Sequence, residues 1–189
     1  MRKLQFQTGN YYHLYNRGVD KRDIFCDEKD FVRFVVGMRE FNRVKPIDSL
    51  YKLNYLSSQK PPGAFSEAPG GLVEYICYCL NRNHFHFILK QKVDNGISTY
   101  MQKLQMGYTN YFNFKYKRSG SLFQGRYKAE PIKSVGKLIR LSCYINGNPE
   151  IHKICKAKDW IWSSYQDYLG FRNGTLCDKN IILMEFESL

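Results

Sequence analysis

Along DEKDFVRFVVGMREFN, residues 27–42, apolar side chains recur at Phe31, Phe34, Val35, Met38 and Phe41. The 3, 4, 7 spacing marks one buried face of a helix, and Asp27 stands where an N-cap is wanted. A second helical pattern runs over 96–118, where Ile97, Tyr100, Met101, Leu104, Tyr108, Tyr111 and Phe112 form the apolar side. A third covers SVGKLIRLSCYINGNP, 134–149, with Leu138, Leu141 and Ile145 on its apolar face and Pro149 as its stop. Between these lie runs of strand character. YYHLYNRG at 11–18 ends at a glycine turn, and LVEYICYCL at 72–80 is followed by the turn NRN and by HFHFILK at 84–90. If that turn is a hairpin, the last two strands are antiparallel. A fourth strand is expected near 127–132, and DWIWSSYQDYLG reads as a short C-terminal helix.

The resulting order is β-α-β-β-α-β followed by helices. It predicts an α+β, ferredoxin-like (RRM-like) fold with an antiparallel sheet. Residues 1–189 read as a single domain, without internal repeat. The proline- and glycine-rich stretch at about 45–71 is too long for a minimal connection and reads as a loop or insertion.

Charge narrows the partners. The chain has 29 Lys and Arg against 17 Asp and Glu, a formal net charge of +12, which favours a polyanion and nucleic acid before membrane. No apolar run approaches membrane-spanning length, and MRKLQFQTGN lacks a signal-peptide core. Six cysteines form no CxxC pair and suggest no zinc site, so they read as reduced thiols in a cytoplasmic protein. Cys77 and Cys79 alternate along one strand, which suits core packing.

Alternation has a sharper consequence at LNRNHFHFILK, 80–90. Residues i and i+2 of a strand share a face, so His84 and His86 point one way and Phe85, Phe87 and Leu89 the other. Two neighbouring imidazoles can be neutral nitrogen ligands to one divalent cation. They can equally be two exposed side chains on an open sheet, and a bare H-x-H does not decide between these. The third helix offers companions. Tyr144 and Asn148 are four residues apart on one helical face, shared with Lys137 and Arg140. Pro149 disfavours helix at Asn148, which places that residue at a frayed end.

Five segments, in this order, resemble the REP-associated tyrosine transposases, a branch of the single-tyrosine HUH nucleases: YYHLYNRG, NHFHFIL, GSLFQGRYKAEPI, YINGNP and WSSYQDYLG. The resemblance covers most of the chain. It implies that His84, His86 and Asn148 are metal ligands, with Mg2+ or Mn2+ as cofactor, and that Tyr144 is the nucleophile on a catalytic helix. The substrate it implies is single-stranded or hairpin DNA of repetitive extragenic palindromes, cut near a short tetranucleotide. It implies a bacterial cytoplasmic protein, nucleoid-associated when bound to DNA, and a monomer or a homodimer. The chain departs from the family pattern at Asn81-Arg82-Asn83, where Met-Pro-Asn is frequent, and at Glu150-Ile151, where Val-Arg is.

The chemistry implied is transesterification at a phosphodiester, with a 5′-phosphotyrosine and a free 3′ hydroxyl as products. Phosphate contacts are expected from Arg17, Lys115, Lys117, Arg118, Arg126, Lys128, Lys133, Lys137 and Arg140. Phe123 and Tyr127 either stack on unpaired bases or belong to the core. Two other functions suit the same element order. An RNA-recognition module would carry paired aromatics in a GFGFV-type strand, which is absent here. Replication initiators and relaxases share the histidine pair and tyrosine but usually within longer chains.

Overall fold

A computed structural model describes residues 4–45 and 71–187. The loop or insertion expected at 45–71 lies almost wholly outside the described residues.

Four strands, β1 (Tyr11–Arg17), β2 (Val73–Asn81), β3 (His84–Gln91) and β4 (Lys128–Ile132), form one antiparallel sheet in the order β2-β3-β1-β4. With helices α1 (Glu28–Glu40) and α2 (Gly96–Lys115) after β1 and β3, this is the predicted ferredoxin-like α+β topology. Asp27 caps α1 as expected. Its side chain accepts from the Asp30 amide, and the Asp30 carboxylate accepts in return from the Asp27 amide. Gly18 ends β1, where a Cβ would lie 2.2 Å from the Arg22 carbonyl oxygen, so only glycine fits that turn.

The strand pleat sorts the side chains into two layers. Tyr12, Leu14, Phe85, Phe87 and Leu89 face α1 and α2 and are fully or nearly fully buried. On the opposite face Ile76, Cys77, Cys79 and Ile88 receive Leu138 and Ile145 of α3 (Val135–Asn146). A register shift between Tyr75 and Cys77 gives β2 one extra residue. This bulge lets Tyr75, Tyr78 and Leu80 serve the first layer and Ile76, Cys77 and Cys79 the second. Phe123 and Tyr127 are buried among the first-layer side chains, so the core placement holds and stacking on bases does not.

Two predicted boundaries are corrected. The third helix does not run to Pro149. It ends at Asn146, and after Gly147 the chain starts a short helix α4 (Asn148–Ile151) with Pro149 in its first turn. A proline there lacks only an N–H that has no helical partner anyway. Asn148 is therefore not frayed but 0% exposed. The C-terminal WSSY segment is helical only in α5 (Tyr165–Tyr168). Its first residues instead lie against the outer edge of β2, with Leu80 N donating to Trp162 O at 2.9 Å and the Tyr78 amide to Ser164 Oγ at 3.0 Å. An otherwise open sheet edge is thereby covered. A last helix, α6 (Asn180–Glu187), packs Ile182 against the α3 side. Among the described residues no helix is long and apolar enough to cross a membrane.

Candidate active site

His84 and His86 project from β3 toward the α3 face, while Phe85 and Phe87 fill the opposite core, as the alternation requires. The antiparallel register with β1 sets Arg17 opposite His84 and Tyr15 opposite His86. His13, two residues along β1, then lies diagonal to His86, with its Nε2 3.0 Å from His86 Nδ1. Tyr15 stacks near both, at 4.8 Å from the His13 ring and 5.5 Å from that of His86. The His84 ring stands 5.3 Å from His86 and 4.8 Å from the exposed His152 just after α4. All four histidines of the chain thus meet at one place.

α3 and α4 close over this cluster. Tyr144 is 42% exposed and meets the His86 ring edge-on at 5.9 Å. Asn148 points inward, its Oδ1 3.0 Å from His84 Nε2. The Asn81 amide nitrogen donates to this same Oδ1 and lies 3.0 Å from His84 Nε2. On the far side of the ring, His84 Nδ1 is 2.6 Å from Asn83 Oδ1. An amide oxygen only accepts, so Nδ1 carries the proton and Nε2 a lone pair. The lone pairs of His84 Nε2 and Asn148 Oδ1 therefore face one centre, and Asn81 serves both.

That donor set fits a divalent ion. Neighbouring ligands at roughly 2.1 Å from an octahedral metal lie about 3 Å apart, the separation seen between His84 Nε2 and Asn148 Oδ1. Among the described residues no three His, Cys, Asp or Glu side chains form such a group. The arrangement relies on two imidazoles and an amide. Asn148 Nδ2 is buried without a partner, which leaves its amide held through the oxygen alone.

Burial keeps the rings neutral. It lowers His13 to about 4, with the Glu130 carboxylate opposing and Lys137 reinforcing the shift. It lowers His86 to about 2, reinforced by the neighbouring His13, His84 and His152. His84 is also lowered, by burial first, while the Asn148 amide oxygen beside Nε2, which would favour a protonated ring, opposes the shift. Neutral imidazoles are the form that ligates metal. At the β4 border, the Tyr15 hydroxyl donates to Glu130 at 3.1 Å, and burial followed by that carboxylate raises the phenol above its usual range.

The expected phosphate-binding residues divide. Lys128, Lys133, Lys137 and Arg140 are exposed along β4 and the start of α3, on the side of the sheet that holds the histidines. Arg17 and Arg126 are exposed at the β1 end, where Arg17 Nε donates to Gln124. Lys117 and Arg118 follow α2, on the other layer, with Arg118 over the Phe112 ring. Lys115 is turned inward. Its ammonium binds Asp27 and Asp30 at 2.7 Å, and these carboxylates outweigh burial and raise its pKa. The sequence pattern passed over His13, Tyr15, Asn81, Asn83 and His152. Strand alternation in YYHLYNR does put His13 and Tyr15 on one face, but their partner strand is fixed only by the fold.

Residues 71–148, from just before β2 to Asn148, match the model of the family described as "Transposase IS200 like". No curated protein matches the chain. Among solved structures, the chain is similar in fold to a REP-associated tyrosine transposase bound to a REP hairpin. The TM-score is 0.64 at 12% identity, over 90% of this chain and 85% of that one.

Proposed function

We propose that the protein cuts and rejoins single-stranded DNA through Tyr144, at or near hairpins of REP type, a reading supported by the match of residues 71–148 to the model of the IS200-like transposase family. The observation that carries this reading is a partly exposed tyrosine set edge-on to His86, beside an inward lone-pair pair on His84 and Asn148.

His84, His86 and Asn148 would hold Mg2+ or Mn2+. Bound there, such an ion supplies Lewis-acid polarisation of a phosphate oxygen. The chain's own residues do the rest. Tyr144 presents its phenol at the open side of the site, where a strand can reach it. Lys137 and Arg140, two turns and one turn before Tyr144 on α3, place positive charge where the phosphate would lie. In the reaction, the Tyr144 oxygen forms a bond to phosphorus and the bond from phosphorus to the 3′ oxygen breaks. The phenol gives up its proton, and the departing 3′ oxygen ends as a hydroxyl. The phosphotyrosine keeps the bond energy of the original linkage, so a 3′ hydroxyl can reverse the step and join strands without ATP. A phenol is a weak nucleophile until it gives up its proton, and such cationic surroundings favour that loss.

The test is a denaturing gel of labelled single-stranded hairpin oligonucleotides with Mg2+ or Mn2+. Wild type should give a metal-dependent covalent band, and Tyr144→Phe none. His86→Ala should bind DNA yet lose the band. Adducts persisting in Tyr144→Phe would move the nucleophile elsewhere. Binding by all three proteins with no adduct from any would replace catalysis by a binding-only role.

A further inference from the structure

We propose that His13 is a positioning residue, whose ring nitrogen accepts a hydrogen bond from His86 and so fixes which nitrogen of His86 is offered to the site. The inference rests on the metal-site reading above and adds a residue to it.

The contact is built, not incidental. His13 lies on β1, an inner strand paired on both sides, and it is only 8% exposed. Its Nε2 stands 3.0 Å from His86 Nδ1, with the two rings 16° from parallel. One hydrogen bond between two neutral imidazoles has two forms. Either His13 donates from Nε2 and His86 accepts at Nδ1, or His86 donates from Nδ1 and His13 accepts at Nε2. In the first form His86 keeps its own proton on Nε2 and has no lone pair left for a metal. In the second its Nε2 carries a free lone pair. Only the second is compatible with His86 as a ligand, so an ion in the site and His13 as acceptor favour each other.

His84 shows the same device with a different partner. There Asn83 Oδ1 receives the Nδ1 proton and leaves Nε2 for Asn148 and the site. Both Nδ1 atoms are therefore committed, one to an amide oxygen and one to a second histidine. Outer partners of this kind fix the tautomer and orientation of metal-bound histidines, and losing one typically costs roughly 10–100-fold in metal affinity.

The test is Mn2+ binding to the full chain without DNA, followed by calorimetry and by electron paramagnetic resonance of the free ion. His13→Phe keeps a flat ring of similar size but no acceptor, and His13→Gln keeps an amide oxygen. The expected result is a roughly 10–100-fold weaker Mn2+ affinity in His13→Phe, with at least partial recovery in His13→Gln. Nitrogen-15 imidazole spectra of the Mg2+-loaded wild type give a readout that needs no variant. They should show His86 protonated at Nδ1. Equal Mn2+ affinity in wild type and His13→Phe, or a His86 proton on Nε2 in the loaded protein, would overturn the role of His13 and leave the metal site standing. If wild type and His84→Ala alike fail to bind Mn2+, the metal reading itself falls and takes this one with it.

Discussion

His13 and His86 are held as uncharged rings, and that has a cost in acid. An unfolded chain protonates its histidines near 6.5, whereas these two are depressed in the fold to about 4 and about 2. The unfolded state therefore binds more protons below 6.5. Their contribution to stability is whole above that pH and is lost as the pH falls toward 4, by roughly 1–3 kcal/mol for each ring. Urea denaturation of the metal-free protein at pH 7.5 and pH 4.5 should show the loss, and His13→Phe should reduce it. A pH-independent midpoint would speak against buried neutral rings. The residues of this cluster differ in how far they could be read beforehand. His84 and His86 stand out because strand alternation needs only local spacing, and Tyr144 because helical spacing does, whereas Asn148 opens a separate helix and reaches the site through the break at Gly147. His13 does not, since its partner is 73 residues away and the register of two strands decides the contact. Asn81 and Asn83 look like turn residues, and their amides become part of the site only through the way β2 and β3 close around them.

At the scale of elements, α1 and α2 were legible from their apolar faces, and even the cap of α1 could be named. The end of α3 was not, because a proline reads as a stop whether it terminates a helix or opens the next one. The break at Gly147 lets Tyr144 stay exposed while Asn148, four residues on, is completely enclosed. Lys115 illustrates the other limit of sequence reading. A lysine near other cations suggests a phosphate contact, yet its side chain joins the end of α2 to the start of α1 through Asp27 and the fully buried Asp30. Lys115→Ala should therefore lower stability by about 1–3 kcal/mol, because it strips a cationic partner from a buried carboxylate. Its affinity for single-stranded DNA should stay at the wild-type value. Thermal melting and fluorescence anisotropy separate the two effects. A drop in DNA affinity without a drop in melting temperature would return Lys115 to the DNA surface.

Over the whole molecule the sheet acts as a partition. One face is sealed by α1 and α2, and the other carries the histidines, with exposed cations of β4 and α3 beside them. The element order revealed this partition, since β-α-β-β-α-β leaves few ways to cover the sheet. The bulge in β2 and the cover on its edge were hidden, because the first is a shift in the pairing of β2 with β3 and the second is made by Trp162–Ser164 far along the chain. The net charge of +12 did not say which cations face DNA. If Lys137 and Arg140 do, removing both should flatten the dependence of log affinity on log salt by about 1.4, at about 0.7 per phosphate contact on a single strand. Titrations at several salt concentrations measure this directly, and an unchanged slope would assign phosphate binding to other residues.

The gathering of every histidine into one site makes the protein its own spectrometer. In most proteins the imidazole resonances of an NMR spectrum mix active-site signals with those of scattered surface rings, and assignment has to come first. Here the chain has only His13, His84, His86 and His152, and all four border the same few ångströms. Any imidazole signal that moves on adding a metal, a hairpin or acid is by construction a report from that site, and one that stays still is equally informative.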